Sequence, residues 1–289
     1  MELKTKNVKE IVQSLEEGIT EFFQSDRYSE FLKVIANLHA YSLNNMLLIA
    51  MQYPEASIVA GYKKWQAMGR YVKKGEKAIT ILCPCIEKHK RKVLDKNRKP
   101  VLDENGNEME EEVTFPNFRP GKVFDISQTD GKPLETLEPK ELSASITDAD
   151  AFIQKLISIS PVPVFFEDIE GETRGYFSPT EEKIVVQKDM PDLQTIKTLI
   201  HESAHARLHN KETMKDQKKD RLTKEVEAES VASCVLTAFG YDTSDYSFPY
   251  IAGWSSGRDM KELKASLDII RVTSGQIIDD LQEKALKIA

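Results

Sequence analysis

Leu193-Gln194-Thr195-Ile196-Lys197-Thr198-Leu199-Ile200-His201-Glu202-Ser203-Ala204-His205-Ala206-Arg207-Leu208-His209 is the stretch that decides how this chain folds. Thr195, Ile196, Leu199, Ile200, Ala204 and Leu208 give it an apolar component at helical spacing, and Asp192 lies where a carboxylate can cap open N–H groups. On a helix, positions i and i+4 share a face. His201 and His205 can therefore bind one metal ion, while Glu202, one residue along, points towards water held at that ion. H-E-x-x-H in this setting is the core of a zinc peptidase.

A catalytic zinc wants three protein ligands and one open position, so a third ligand is expected downstream. Carboxylates are concentrated in Lys224-Glu225-Val226-Glu227-Ala228-Glu229-Ser230-Val231-Ala232, the start of a second helical pattern that runs to about Phe239 and ends at Gly240. Glu225 and Glu229 share a face, and Glu227 is rotated away by about 100° per residue. Glu225 is read as the ligand, with Glu229 accepting the free ring N–H of a ligating histidine. The reverse assignment, Glu229 as ligand, stays open. The longer pattern with a third histidine fails, because Leu208 and Lys211 occupy its glycine and last histidine positions. His209 reads as a C-terminal histidine favoured by the helix dipole.

Composition adds a second theme. Across 289 residues the formal net charge is −7, which argues against indiscriminate adhesion to nucleic acid or membrane. Between Gly61 and Lys92, however, Lys63, Lys64, Arg70, Lys73, Lys74, Lys77, Lys88, Lys90, Arg91 and Lys92 face only Glu76 and Glu87. Such a stripe suits phosphates, and Tyr62, Trp65 and Tyr71 are interleaved where bases could stack on them. The three cysteines suggest no disulfide framework, and Cys83-Pro84-Cys85 reads as a strand end. No run of 18 or more apolar residues appears, and Met1 to Lys6 lack the apolar segment of a signal peptide. A cytoplasmic protein without membrane contact is expected.

The coarse pattern is α+β. Helices are predicted over Val8 to Phe23, Tyr28 to Leu38 and from a Ser42 cap to about Gln52, and strands at Ile79 to Leu82 and Val113 to Phe115. Asp95 to Glu112, with Asn105-Gly106-Asn107, reads as a hairpin tip or mobile excursion, and Lys132 to Lys140 as a connector. A helix at Asp148 to Ser158 and strands at Val162 to Glu167, Thr173 to Phe177 and Lys183 to Gln187 precede the motif helix. An extended substrate can add as a strand to a sheet edge beside the metal. Thr173 to Phe177 and Ile184 to Gln187 are the candidates for that edge.

His201 to His209 together with Glu225 to Ala232 resemble the C-terminal zincin domain of ArdC-like antirestriction proteins and, more distantly, the ImmA/IrrE metallopeptidases. Tyr250-Ile251-Ala252-Gly253-Trp254 is similar to the element that follows in that family. Tyr41 to Asn45, Leu47 to Ile49, Gln52, Gly61 to Trp65, Gly69 to Ile79 and Phe124 to Thr129 resemble the ArdC N-terminal single-stranded-DNA-binding domain; the segment from about Glu87 to Glu112 matches nothing. The resemblance implies a DNA-binding domain over 1–130, a linker over 131–145 and a zincin-like domain over 146–289, with a small sheet and the H-E-x-x-H helix. It implies Zn2+ on His201, His205 and Glu225, Glu202 as general base, and Tyr250 as a donor to the oxyanion. DNA contacts are expected at Lys63, Lys64, Trp65, Arg70, Tyr71, Lys73, Lys74 and Lys77. The implied partners are single-stranded DNA and an unidentified protein substrate. Three readings follow: a DNA-associated metallopeptidase of the antirestriction type, a DNA-guarding protein that needs no peptidase activity, and an ImmA-like protease that cleaves a repressor.

Overall fold

The computed structural model describes residues 8–24, 27–93, 100–101, 108–133, 149–215, 219–241, 243, 248 and 250–288; for 24 and 283–288 only the backbone is described. The fold is α+β, as the pattern predicts. Its first three helices are α1 (Val8–Gln24), α2 (Arg27–Leu38) and α3 (Leu43–Gln52). On α1 the buried set Ile11, Leu15, Ile19, Phe22 and Phe23 recurs every three to four residues, so one stripe faces inward. Ser42 sits at the N-cap of α3 with extended backbone but makes no side-chain cap bond.

The first sheet is ordered β1 (Val59–Gly61), β4 (Glu110–Asp125), β3 (Ile79–Lys92), all antiparallel. The outer edge of β3 is closed by side chains. The Asn45 amide donates to the Leu82 carbonyl at 3.0 Å and accepts from its N–H at 2.8 Å, and Gln52 does the same for Thr80 at 2.9 and 3.0 Å. Two amides seven residues apart on α3 thus reproduce a strand's bonding pattern at β3, where backbone groups would otherwise lack partners. Asp125, fully buried, accepts from the backbone N–H groups of Ser57, Ile58 and Ser127, which makes the end of β4 a turn of fixed shape. Below it, α4 (Tyr62–Ala67) packs on β2 (Arg70–Val72), which pairs with β5 (Thr129–Gly131).

Beyond Cys83 the β3–β4 ladder continues without a third strand as far as Lys92 opposite Glu110. It is much longer than the short strands the sequence predicts. Both of its faces are exposed there, so the alternation that marks a half-buried strand is missing. Charge holds it instead: Lys88 pairs with Glu112 at 2.7 Å, Lys90 with Glu110 at 3.4 Å, Arg91 with Glu111 at 2.7 Å, and Lys92 with Glu108. The expected hairpin tip, Asn105-Gly106-Asn107, lies outside the described residues. The expected connector also lies outside them, apart from Lys132 and Pro133.

The second half contributes α5 (Ala149–Ile159), then β6 (Val164–Glu167), β7 (Gly175–Ser178) and β8 (Lys183–Gln187), with β8 in the middle of the sheet. β6 runs parallel and β7 antiparallel to it. Next come α6 (Asp192–Leu208), α7 (Arg221–Ala238), α8 (Ile251–Ser256) and α9 (Met260–Ile288). Pro191 is the N-cap of α6, and Asp192 stands in its first turn rather than capping it; Asp220 caps α7 through the Thr223 N–H at 2.7 Å. Gly240, at φ 76°, ends that run in the left-handed conformation glycine tolerates. The front helices share one buried core with α7, α8 and α9. Tyr28 bonds Ser230 at 2.8 Å and Phe23 meets Trp254 with ring centres 5.4 Å apart.

Candidate metal centre

The cluster is built on two helices. His201 and His205 project from one face of α6, and Glu225 reaches them from the first turns of α7. The His201 and His205 Nε2 atoms are 3.1 Å apart, and Glu225 Oε2 is 3.5 and 3.6 Å from them. A tetrahedral site with bonds of about 2.0–2.1 Å separates neighbouring ligand atoms by roughly 3.3 Å, so this spacing fits a single ion. His201, His205 and Glu225 are the group that could hold a metal among the described residues. Glu225 remains 41% exposed at its side chain, which leaves one side of the cluster open.

Electrostatics agree with the geometry. Glu225, bonded by both histidines, is held well below the usual carboxylate range. Burial pulls His201 down, but Glu225 and Glu229 outweigh it and push the ring up to about 9. Glu229 stands behind the first ligand, its Oε2 3.1 Å from His201 Nδ1, with Lys197 at 3.5 Å on its other oxygen. In this arrangement Glu225 faces the Nε2 atoms and Glu229 the back of one ring.

Glu202 is 7% exposed, and burial raises its carboxyl despite the nearby histidines and a hydrogen bond from the Phe177 N–H. That bond exists because β7 lies unusually close to α6. A Cβ at Gly175 would sit 2.5 Å from Thr198 Cγ2, so only glycine permits the approach. Of the two edge candidates, β8 is the central strand and β7 is an edge beside Glu202. Tyr250 lies at the N-cap of α8, its phenol pushed up by burial and by the Glu229 and Glu225 carboxylates.

Two residues near the cluster have a role the sequence did not reveal. His209 is buried at the end of α6, and burial pulls its pKa down, so it is not the charged dipole partner expected there. Its Nδ1 is 2.9 Å from His205 Nδ1, and its Nε2 is 3.0 Å from Oε2 of the second residue, Glu227. The spacing His201, His205, His209, four and four, was the available signal.

The basic segment divides. Lys63, Lys64, Lys74 and Lys77 are exposed, with Tyr62 and Tyr71 at 49% and 58%. Lys73 also reaches solvent, but donates to the Ser127 carbonyl at 2.9 Å. Arg70 is spent on the Thr129 and Lys132 backbone and the Thr129 hydroxyl. Trp65 corrects the expectation of a stacking ring: it is fully buried, and its indole N–H donates to the Phe124 carbonyl at 2.9 Å. Lys88, Lys90, Arg91 and Lys92 are the ion-paired residues of the ribbon.

Residues 1–124 match the N-terminal domain of the anti-restriction factor ArdC. The front part of the chain is an ArdC-type N-terminal domain. Its fold is similar, at 19% identity, to the metal-free crystal structure of the antirestriction ArdC protein from plasmid R388, with a TM-score of 0.50 over 91% of this chain and 99% of that one. The Mn(II)-bound structure of that protein gives 0.53, covering 93% and 97% at the same identity. The uncharacterized protein pXO2-81 of Bacillus anthracis is 28% identical over 96% of this chain; the chain spans about half the length of that relative, 52%. The likeness in fold therefore extends past the matched N-terminal domain into the half that carries the cluster. No helix among the described residues is long and apolar enough to cross a membrane.

Proposed function

We propose that this ArdC-like chain is an antirestriction protein that binds single-stranded DNA through its front half and is a zinc-dependent peptidase at its metal cluster. The observation that carries the reading is the convergence of His201, His205 and Glu225 at single-ion spacing beside a buried Glu202. A divalent ion bound there supplies Lewis acidity towards a scissile carbonyl and acidifies an attacking water.

The chain's own residues supply the rest. Glu202, with its carboxyl raised by burial, is suited to take a proton from the attacking water and return it to the leaving amine. An extended peptide adds along β7, an outer strand of the sheet among the described residues, beside Glu202. Tyr250, kept protonated by burial and the two glutamates, is the donor assigned to the developing oxyanion. Zinc is preferred over manganese because two imidazoles and one carboxylate suit it. For DNA, Tyr62 and Tyr71 offer exposed rings on adjoining elements that also carry Lys63, Lys64, Lys74 and Lys77 nearby.

A second reading, DNA protection with no need for hydrolysis, is favoured by the match of residues 1–124 to the N-terminal domain of the anti-restriction factor ArdC. Protection of incoming DNA in cells separates the two. If the peptidase is needed, Glu202→Gln loses protection while still binding zinc and DNA; protection equal to wild type makes the hydrolytic step dispensable.

A further inference from the structure

His201 and His205 are backed differently. Behind His201 stands a carboxylate, Glu229, at 3.1 Å. Behind His205 stands another imidazole, His209, at 2.9 Å, and only then a carboxylate, Glu227, at 3.0 Å from the far nitrogen. Glu227 is fully buried, and both of its oxygens are occupied: Lys219 Nζ lies 2.9 and 2.7 Å from them, and the Ser266 hydroxyl donates to one at 2.9 Å. No residue of this set belongs to the ligand group or to the proton path assigned to Glu202.

We propose that Glu227 and His209 act as a positioning relay that holds His205 in the one tautomer able to ligate the metal through Nε2. The proposal rests on the metal-centre reading above and follows from counting donors. Already accepting three hydrogen bonds, two from Lys219 and one from Ser266, the buried carboxylate only accepts, so the His209 Nε2 must carry the proton of that bond. A neutral imidazole protonated at Nε2 has a lone pair at Nδ1. His209 Nδ1 therefore accepts, and His205 Nδ1 must donate. That leaves the His205 Nε2 lone pair bare, on the side where His201 Nε2 and Glu225 lie. Reversing any bond of the chain would put a hydrogen on Nε2, facing the ion.

The supports of the relay come from separate elements, which explains why so polar a group is tolerated in the core. Lys219 precedes α7, Glu227 lies on α7, Ser266 on α9 and His209 at the end of α6. The Lys219 charge offsets that of Glu227, so the pair calls for no second cation at His209, which is 5% exposed. A buried carboxylate with every partner in place is a fixed reference; with partners missing it would be costly. A purely structural role, pinning α6 to α7 and α9, would also explain the burial but says nothing about the His205 tautomer.

The test uses the full-length chain with zinc alone as probe, measuring affinity by chelator competition and the His205 tautomer in zinc-free protein by long-range 1H–15N NMR. Wild type is expected to show His205 protonated at Nδ1. His209→Phe, which keeps ring bulk but removes the acceptor, is expected to lose that preference and bind zinc about 10- to 100-fold more weakly while remaining folded by circular dichroism. A folded His209→Phe protein with wild-type zinc affinity and an Nδ1–H His205 overturns the proposal. Should that variant not fold, the wild-type spectrum still decides, because a zinc-free His205 protonated at Nε2 contradicts the relay outright. His205→Ala is the control for the underlying reading. If it binds zinc as tightly as wild type, the metal-centre reading falls, whereas weakened binding there with none in His209→Phe overturns the relay alone.

Discussion

Residues 201–229 and residues 61–92 both concentrate ionisable side chains, but they hold them in opposite ways. Around the metal cluster each group is fixed from behind, His201 by Glu229, His205 by His209, Glu202 by the Phe177 N–H. Along the basic segment the cations divide: Lys63, Lys64, Lys74 and Lys77 extend into solvent, whereas Lys88, Lys90, Arg91 and Lys92 are matched one by one with glutamates on or just before the opposite strand. Charges counted along a sequence therefore measure a field only where the fold brings no counter-charge. Strand register, not composition, decides which half of the stripe can meet a phosphate.

Both sides of this contrast are open to substitution. The largest effect is expected at the fixed site: Glu202→Gln should cut peptide hydrolysis by about 10^2- to 10^4-fold, the range for a general base, while zinc content stays at the wild-type level. Hydrolysis that survives this change would move the proton transfer elsewhere. Next in size, changing Lys63, Lys64, Lys74 and Lys77 together to glutamine should flatten the salt dependence of single-stranded-DNA binding by up to about 3 in log–log slope, at about 0.7 for each phosphate no longer neutralised. An unaltered slope would place the DNA on another surface.

Smaller changes probe the same division. Tyr71→Ala should weaken binding by about 1–3 kcal/mol if its exposed ring stacks on a base, readable by fluorescence anisotropy, and no change would remove it from the interface. The smallest effect is expected from the ribbon. Neutralising Lys88, Lys90, Arg91 and Lys92 also unmasks glutamates, yet these cations are already paired, so the slope should move by less than about 0.7, the value for a single phosphate. A change equal to that from the four free lysines would mean the ion pairs open to admit DNA.

Local signals were legible and long-range ones were not. The pairing of His201 with His205 needed only helical periodicity, and the helices ending at Leu38, Gln52 and just before Gly240 follow from apolar stripes and their punctuation. The strand Lys183 to Gln187 was equally readable, because a short apolar run in a sheet centre keeps its pattern. The β3–β4 ribbon was not, since its outer half buries neither face and its glutamate partners lie about 20 residues away. Trp65 sits among lysines in sequence, and only the register of β1 with β4 brings the Phe124 carbonyl to its indole. His209 and Glu227 were hidden for a similar reason: Lys219 and Ser266, which make the buried carboxylate tolerable, come from a loop and a helix that no local pattern ties to the motif. The front helices' sharing of a core with α7 was likewise invisible, because the Tyr28–Ser230 bond joins residues about 200 positions apart.

Metal analysis of the purified chain, dialysed against zinc and then freed of excess, puts the metal centre itself to the test. Wild type is expected to retain about one ion per chain and the His201→Ala, His205→Ala double variant essentially none, with both folded by circular dichroism. Full zinc occupancy in the folded double variant would contradict the assignment of these histidines, and with it the chemistry built on them.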